Sequence, residues 1–258
     1  MGNDNFQAYA SYYNLLYKDK DYHGEMEYIL GLIKTYASRP VKSILNLGCG
    51  TGNHDFLFSQ KGYEIHGVDL SEGMIKSAQE RTMESGLIGN IAFSQGDIRT
   101  VRLNKKFDLV LSLFHVMSYQ TSDADLQCVF KTADEHLNSH GLFIFDCWHG
   151  PAVLSDPPVK RTKEVEDEST HVVRIANPVM DRIKKIVDVN FEIQVRDKKN
   201  NKTGILHELH QMRYLFNSEL EIFAAQSGFI SLASYKWLTA EAPSENSWNV
   251  VYVFKKRD

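Results

Sequence analysis

The sequence predicts a doubly wound α/β domain, and three observations carry that expectation. Short apolar runs alternate with segments of helical length between Ser43 and Trp148. Glycines cluster where the first of these runs ends, and an aspartate closes the second. Strands and helices alternating at this interval form parallel sheets through right-handed crossovers, with helices on both faces.

The elements follow in order. Residues 1–40 read as a helical cap: Tyr9, Tyr12, Tyr13, Leu16 and Tyr17 recur at helical spacing, and Met26, Ile29, Leu30 and Ile33 repeat the pattern. Five strands come next, SILNLG (43–48), EIHGVD (64–69), IAFSQGD (91–97), FDLVLSLF (107–114) and GLFIFDCW (141–148). Among the helical segments between them are 71–85 and 122–140. PAVLSDPP (151–158) reads as a proline-bearing linker. HVVRIA (171–176), MDRIKKIVDVNFEIQVRD (180–197) and ILHELHQMRYLF (205–216) then read as strands, the last two joined by the turn KKNNKTG. NSELEIFAAQSGF (217–229) is a helix with Asn217 or Ser218 as N-cap and Gly228 closing it. Strands 230–238 and 249–256 follow. The expected layout is a core of 41–150 and 217–258, interrupted by an antiparallel β insertion over 151–216.

Composition narrows the function classes. With 258 residues, 43% hydrophobic and 24% charged, the chain can bury a core without disulfides or metals. Three cysteines, Cys49, Cys128 and Cys147, lack paired spacing and point to reduced thiols in a cytoplasmic setting. The opening MGNDNFQAYASYYN has no basic stretch leading into an apolar run, and nowhere do 18 apolar residues run together, so neither a signal peptide nor a membrane partner is expected. Net charge is −4, and the basic runs KNNK (199–202) and KKR (255–257) read as solvated, which disfavours nucleic acid. No metal site is expected. His207 and His210 fall on opposite faces of a strand, and His136 and His140 sit at a helix C-terminus without nearby thiols or carboxylates.

The chemistry lies in three loops. In ILNLGCGTGN (44–53), Gly48, Gly50 and Gly52 fall where a strand turns into a helix, letting the backbone take positive φ and approach a ligand. The spacing G-x-G-x-G puts Asn53 where a dinucleotide fingerprint needs its third glycine, and no Lys-Ser/Thr pair marks a P-loop. Asp69 ends the second strand, where a carboxylate can accept both ribose hydroxyls of an adenosine, with Ser71 placed to cap the next helix and Met74 one turn in. Asp97, ending the third strand, can accept the adenine amino group while Ile98 packs on the ring.

LNLGCGTG, VDLSEGM, QGDI, FDLVLSLF and GLFIFD, in this order and at these intervals, resemble the class I S-adenosylmethionine methyltransferases. The resemblance implies a Rossmann-like, seven-stranded, mostly parallel sheet of order 3-2-1-4-5-7-6, with S-adenosyl-L-methionine over the carboxyl ends of strands 1, 2 and 4. It implies cofactor contacts from Tyr13, Asn46, Gly48, Cys49, Gly50, Gly52 and His54, from Asp69, Leu70 and Met74, and from Gly96, Asp97, Ile98 and Leu113. One departure stands out: Asn46 occupies the strand-1 end where the family usually has an acidic residue. It keeps an acceptor for the cofactor's ammonium but lacks the charge. YNLLYKDKDY (13–22), GTGNHDFLF, GDIRTVRLNKKFDLVLSLFHVMSY and the strand-rich 170–216 are similar to the nucleotide-linked amino-sugar N,N-dimethyltransferases. That narrower likeness implies a tyrosine-bearing N-terminal helix over the cofactor and an antiparallel insertion after the fifth strand. DCWH stands where that group has a proline-tryptophan-tryptophan run.

The loop after strand 4 carries His115, Ser118 and Tyr119, and Trp148 and His149 follow strand 5. His115 and Tyr119 are the candidate catalytic residues, since a histidine titrates in the range a proton shuttle needs. Of the N-terminal tyrosines, Tyr13 is expected to face the cofactor and most of the others the core. On the strand 205–216, His210 and Tyr214 share one face and Gln211 and Arg213 the other, without a sign of which looks inward. The expected partner is a small-molecule acceptor, an amine such as a nucleotide-linked amino sugar, with a homodimer through the insertion as a further expectation. The alternatives are O- or C-methylation of another metabolite and a non-catalytic S-adenosylmethionine-binding protein.

Overall fold

The structure, a computed structural model, describes residues 12–85 and 89–258. Tyr9 lies outside the described residues. A helical run at 12–16 (α1) leads to α2 (Tyr22–Tyr36), β1 (Ser43–Leu47), α3 (Asn53–Gln60), β2 (Glu64–Asp69), α4 (Glu72–Ser85), β3 (Ile91–Gln95) and β4 (Phe107–Ser112). A 3₁₀ turn (Val116–Tyr119), α5 (Asp123–His136), β5 (Leu137–Trp148) and α6 (Gly150–Ser155) come next. The insertion holds β6 (Arg161–Glu166), β7 (Thr170–Asp181), β8 (Ile186–Asp197) and β9 (Lys202–Arg213), and the chain continues through α7 (Asn217–Gln226), β10 (Phe229–Lys236) and β11 (Asn249–Lys256).

The seven-stranded sheet runs β10-β11-β5-β4-β1-β2-β3. Counting β10 and β11 as its sixth and seventh strands gives the expected 3-2-1-4-5-7-6. β11 is antiparallel to β5 and β10, and the remaining pairs are parallel. Ile44, Leu45 and Leu47 of β1, and Leu109, Val110 and Leu111 of β4, are buried whichever face they take, because helices cover both sides. Phe130 of α5 anchors one layer, with ring centroids 5.5–6.4 Å from Phe143, Phe145, Phe223, Phe229 and Phe254. β6 to β9 form a second, antiparallel sheet in sequence order.

Several boundaries differ from the sequence expectation. α5 stops at His136, and residues 137–140 already belong to β5, with His140 at φ 61°. His136 and His140 therefore do not share a helix face. Segment 151–158 is not simply a linker: Pro151 sits in the first turn of α6, where its missing N–H would have had no partner. Segment 180–197 is two strands, because Asp181 Oδ1 accepts from the amides of Ile183 (3.0 Å) and Lys184 (2.9 Å) and closes a turn. β6, at the sheet edge, carries no apolar alternation in RTKEVE, which is mostly polar as suits an edge strand. The N-cap of α7 is Phe216 rather than Asn217 or Ser218, its amide donating to Glu219 Oε2 at 3.2 Å.

Replacing Phe130 with Ala should destabilise the protein by about 3–5 kcal/mol, read from urea unfolding midpoints at unchanged slope. A loss below about 1 kcal/mol would show that the aromatic layer reorganises around the gap.

Candidate active site

The site begins where β1 turns into α3. Gly48, Gly50 and Gly52 have φ of 82°, 57° and 78°. The amides of Gly48 and Cys49 both donate to the carbonyl of Val68, at 2.7 and 3.0 Å, which pins the turn to the end of β2. A Cβ on Gly48 would lie 2.5 Å from Val116 Cγ2, and one on Gly52 2.6 Å from Phe93 Cζ. At Gly50 the nearest atom would be Tyr13 Oη, 4.0 Å away. Gly48 and Gly52 thus make room for neighbouring side chains, and Gly50 opens the backbone to a ligand. Gly67, which the sequence argument passed over, does the same for Phe93 and Cys49, 2.6 and 2.9 Å from its would-be Cβ.

Asp69 stands at the end of β2 with both oxygens oriented: Gly50 N–H donates to Oδ2 at 2.8 Å and Ser71 N–H to Oδ1 at 2.9 Å. Burial raises its pKa, and the amides of Ser71 and Gly50 pull it back. Ser71 Oγ accepts from Met74 N–H at 3.3 Å, the cap expected for α4.

A cavity of about 830 Å³ opens above these turns. It is lined by Tyr13, Asn46, Gly48, Cys49, Gly50, His54, Asp69, Leu70, Met74, Asp97, Ile98, Leu113, His115 and Tyr119. Gly52 and Gly96 do not line it; they shape the turns beneath. His54 is committed elsewhere, its Nε2 2.7 Å from Glu25 Oε2. Burial opposes ionisation of Glu25, yet His54 and Lys20 hold its carboxyl down at about 2. Asp97 is gripped by Arg99, whose Nε lies 2.9 and 3.0 Å from its two oxygens, and that bond lowers its pKa. Oδ1 also accepts from the Arg99 backbone amide at 2.9 Å and Oδ2 from Arg99 Nη2 at 2.6 Å, so both oxygens are already engaged by Arg99.

Asn46 donates through Nδ2 to Asp55 Oδ2 at 2.8 Å. Among the described residues, Asn46 Oδ1 and Asp55 Oδ1 have no hydrogen-bond partner although both are buried. The carboxyl absent from the strand end therefore stands one bond behind it, on α3.

Residues 44–141 match the family described as a methyltransferase domain. The chain carries a class I S-adenosylmethionine-dependent methyltransferase domain. It is 27% identical over 224 residues to a dTDP-3-amino-3,4,6-trideoxy-alpha-D-glucopyranose N,N-dimethyltransferase of Streptomyces venezuelae, covering 85% of this chain and 89% of that protein. A putative methyltransferase of a Geobacillus species is 25% identical over 251 residues, 97% of this chain and 99% of its own. Among solved structures, an S-adenosylmethionine-dependent methyltransferase from Clostridium acetobutylicum superposes with a TM-score of 0.82 at 22% identity, covering 98% and 99% of the two chains. Streptomyces venezuelae DesVI gives 0.80 at 22% identity, covering 97% and 98%.

The methyltransferase cavity continues from the glycine turn to the second sheet, taking in Arg174 and Phe191 and the inward residues His210 and Met212 of β9. His210 looks inward; His207 is exposed. Tyr214 is buried in a separate cluster beneath. Trp148 lines the cavity but His149 does not, being buried where β5 runs into α6. Tyr17 joins Tyr13 at the wall, while Tyr12 turns to the insertion and donates to Glu208 Oε1 at 2.6 Å. Phe114 and His115 are consecutive left-handed residues, φ 66° and 64°. Such a pair is strained, and buried Asp146 offsets the strain by accepting from both amides, at 2.6 Å from Phe114 and 3.2 Å from His115. His115 Nδ1 also lies 2.9 Å from Asp146 Oδ2, an ion-pair distance without hydrogen-bond alignment.

Burial pushes the Asp55 carboxyl up to about 7 from its ordinary 3.8. A carboxyl raised in the folded state penalises folding as it ionises; the penalty is absent below about pH 4, grows toward 7 and is complete above. Asp55→Asn keeps the acceptor for Asn46 without the charge, so the variant should melt above wild type at about pH 8 and lose that advantage at about pH 4. Melting curves at the two pH values check this, and superimposable differences at both would refute it.

Proposed function

We propose that this methyltransferase transfers methyl groups to the nitrogen of a nucleotide-linked amino sugar. The observation that carries the reading is the continuity of one cavity from the glycine turn to the inward face of the second sheet. At about 830 Å³ it lies near the upper end of the roughly 300–1,000 Å³ of ligand pockets, room for a cofactor and a second ligand side by side. The similarity to the Streptomyces venezuelae dTDP-amino-sugar enzyme extends through both sheets, which supports the same class of acceptor.

The residues present fit the cofactor. Gly50 leaves open space beside its Cα, Asp69 aims a carboxylate at the rim, and Asn46 Oδ1 waits as a buried acceptor. Asp69 would take the ribose hydroxyls, Asn46 the ammonium, and Leu70 and Ile98 the faces of the adenine. When bound, S-adenosylmethionine supplies an electrophilic methyl on a sulfonium. The protein's part is then placement and exclusion of water. Tyr13, Tyr17 and Phe114 pack in sequence, with centroids 4.8 and 5.0 Å apart, and form an aromatic wall over the cofactor side. Holding nitrogen and carbon in line can supply on the order of 7–11 kcal/mol of the barrier. Arg161, exposed at the mouth, is available to the diphosphate of the acceptor. A cytoplasmic setting belongs to this reading, supported by three free thiols.

S-Adenosylhomocysteine at about a hundred times its Kd should stabilise the fold by roughly 2.7 kcal/mol, a melting shift of about 5–10 °C. Incubation with S-adenosylmethionine and a panel of dTDP-linked 3-amino and 4-amino sugars should yield N-methylated product by mass spectrometry. Turnover of hydroxyl acceptors with none of the amines would overturn the assignment of nitrogen.

A further inference from the structure

Behind the acceptor side of the cavity, four side chains from three elements join in one chain of hydrogen bonds. Tyr119, at the end of the 3₁₀ turn, has Oη 2.7 Å from His210 Nδ1. His210 Nε2 lies 3.1 Å from Glu208 Oε2, and Tyr12 donates to Glu208 Oε1 at 2.6 Å. Glu208 and His210 are both buried, and both project inward because they are two apart on β9. Phe191 packs edge-on against the His210 ring, with centroids 4.9 Å apart, and fixes its plane.

The donors can be assigned by elimination. A Glu208 carboxylate only accepts, so His210 Nε2 carries hydrogen; its Nδ1 is then left to accept from Tyr119. A phenol holds its proton at neutral pH, so Tyr119 cannot serve as a base by itself. It can do so only if its own proton moves on in the same step.

We propose that Tyr119, His210 and Glu208 form a proton relay that clears the proton released when the acceptor amine is methylated. This rests on the amine-methyltransferase reading above. The N–H bond of the new ammonium breaks and an O–H bond forms at Tyr119 Oη. The original Tyr119 O–H breaks and an N–H forms at His210 Nδ1, leaving the electron pair on the acceptor nitrogen. His210 becomes an imidazolium held against the Glu208 carboxylate, and the proton returns through Tyr119 to water when product leaves. Tyr119 is the catalytic residue facing the acceptor; His210 and Glu208 are positioning residues behind it. Regenerating the lone pair matters most for a second methylation of the same nitrogen. The titratable and charged groups facing Tyr119 and His210 are Tyr12, Tyr13 and Tyr17 from the N-terminal segment, Asp69 of β2, Arg174 of β7 and Glu208 of β9.

The test has one arm that needs no acceptor. Two-bond ¹H–¹⁵N spectra of the whole protein should show His210, assigned through its contact with Phe191, protonated on Nε2; an Nδ1-protonated tautomer overturns the relay. In the second arm, His210→Gln keeps an acceptor for Tyr119 but cannot take a proton. With a dTDP-linked amino sugar, kcat should fall about a hundredfold with KM little changed, the second methylation suffering more than the first, so that monomethyl product accumulates. Unchanged kcat in that variant overturns the proposal. If wild type methylates no amine, the acceptor reading has failed, and the tautomer still decides the arrangement of the relay.

Discussion

The carbonyl of Val68 accepts hydrogen bonds from the amides of Gly48 and Cys49, and the arrangement of the site follows from that clamp. It ties the turn after β1 to the end of β2, which sets the Gly50 amide on Asp69. The turn can be this tight only because three glycines take positive φ and two of them yield their Cβ space to Val116 and Phe93. Val116 opens the 3₁₀ turn that ends in Tyr119. One packing contact therefore links the glycine turn to the turn that carries Tyr119.

The first half of the chain was legible because its signals are local. A parallel strand buried on both faces reads as an apolar run, and a glycine cluster at its end has few other uses. Asp69 and Ser71 could be placed from sequence because capping chemistry acts over two or three residues. Asp55, Asp146 and Glu208 could not. Each matters through a partner distant in sequence or on another element: Asp55 beneath Asn46, Asp146 beneath the strained Phe114–His115 pair, Glu208 against Tyr12. His54 misled for the same reason, since its partner Glu25 lies on α2. Nor does sequence show that Asp97 is gripped by Arg99, although the two are only two residues apart.

The Asn46–Asp55 pair illustrates how burial changes the meaning of a substitution. An acidic residue at the strand end would face the cavity directly. Here a neutral amide faces it, and the carboxyl behind is buried deeply enough that its pKa rises to about 7. The charge has been withdrawn one hydrogen bond from the cavity. Any ammonium at Asn46 Oδ1 then meets a polarised amide rather than an ion, and its attraction depends on whether Asp55 is ionised.

The insertion supplies one wall of the cavity through strand register alone. β8 and β9 pair with Val189 opposite His210 and Phe191 opposite Glu208. Side chains alternate along β9, so Glu208, His210 and Met212 point inward while Leu209 and Gln211 meet solvent. A slip of one residue would invert the face, placing Leu209 and Gln211 over the cavity and sending the histidine into water. The exposed Leu209 on the outer face is thus the counterpart of a buried polar row on the inner one. Burying Glu208 and His210 while Leu209 is exposed has no rationale in stability; it follows once the inner face must carry polar groups to a ligand.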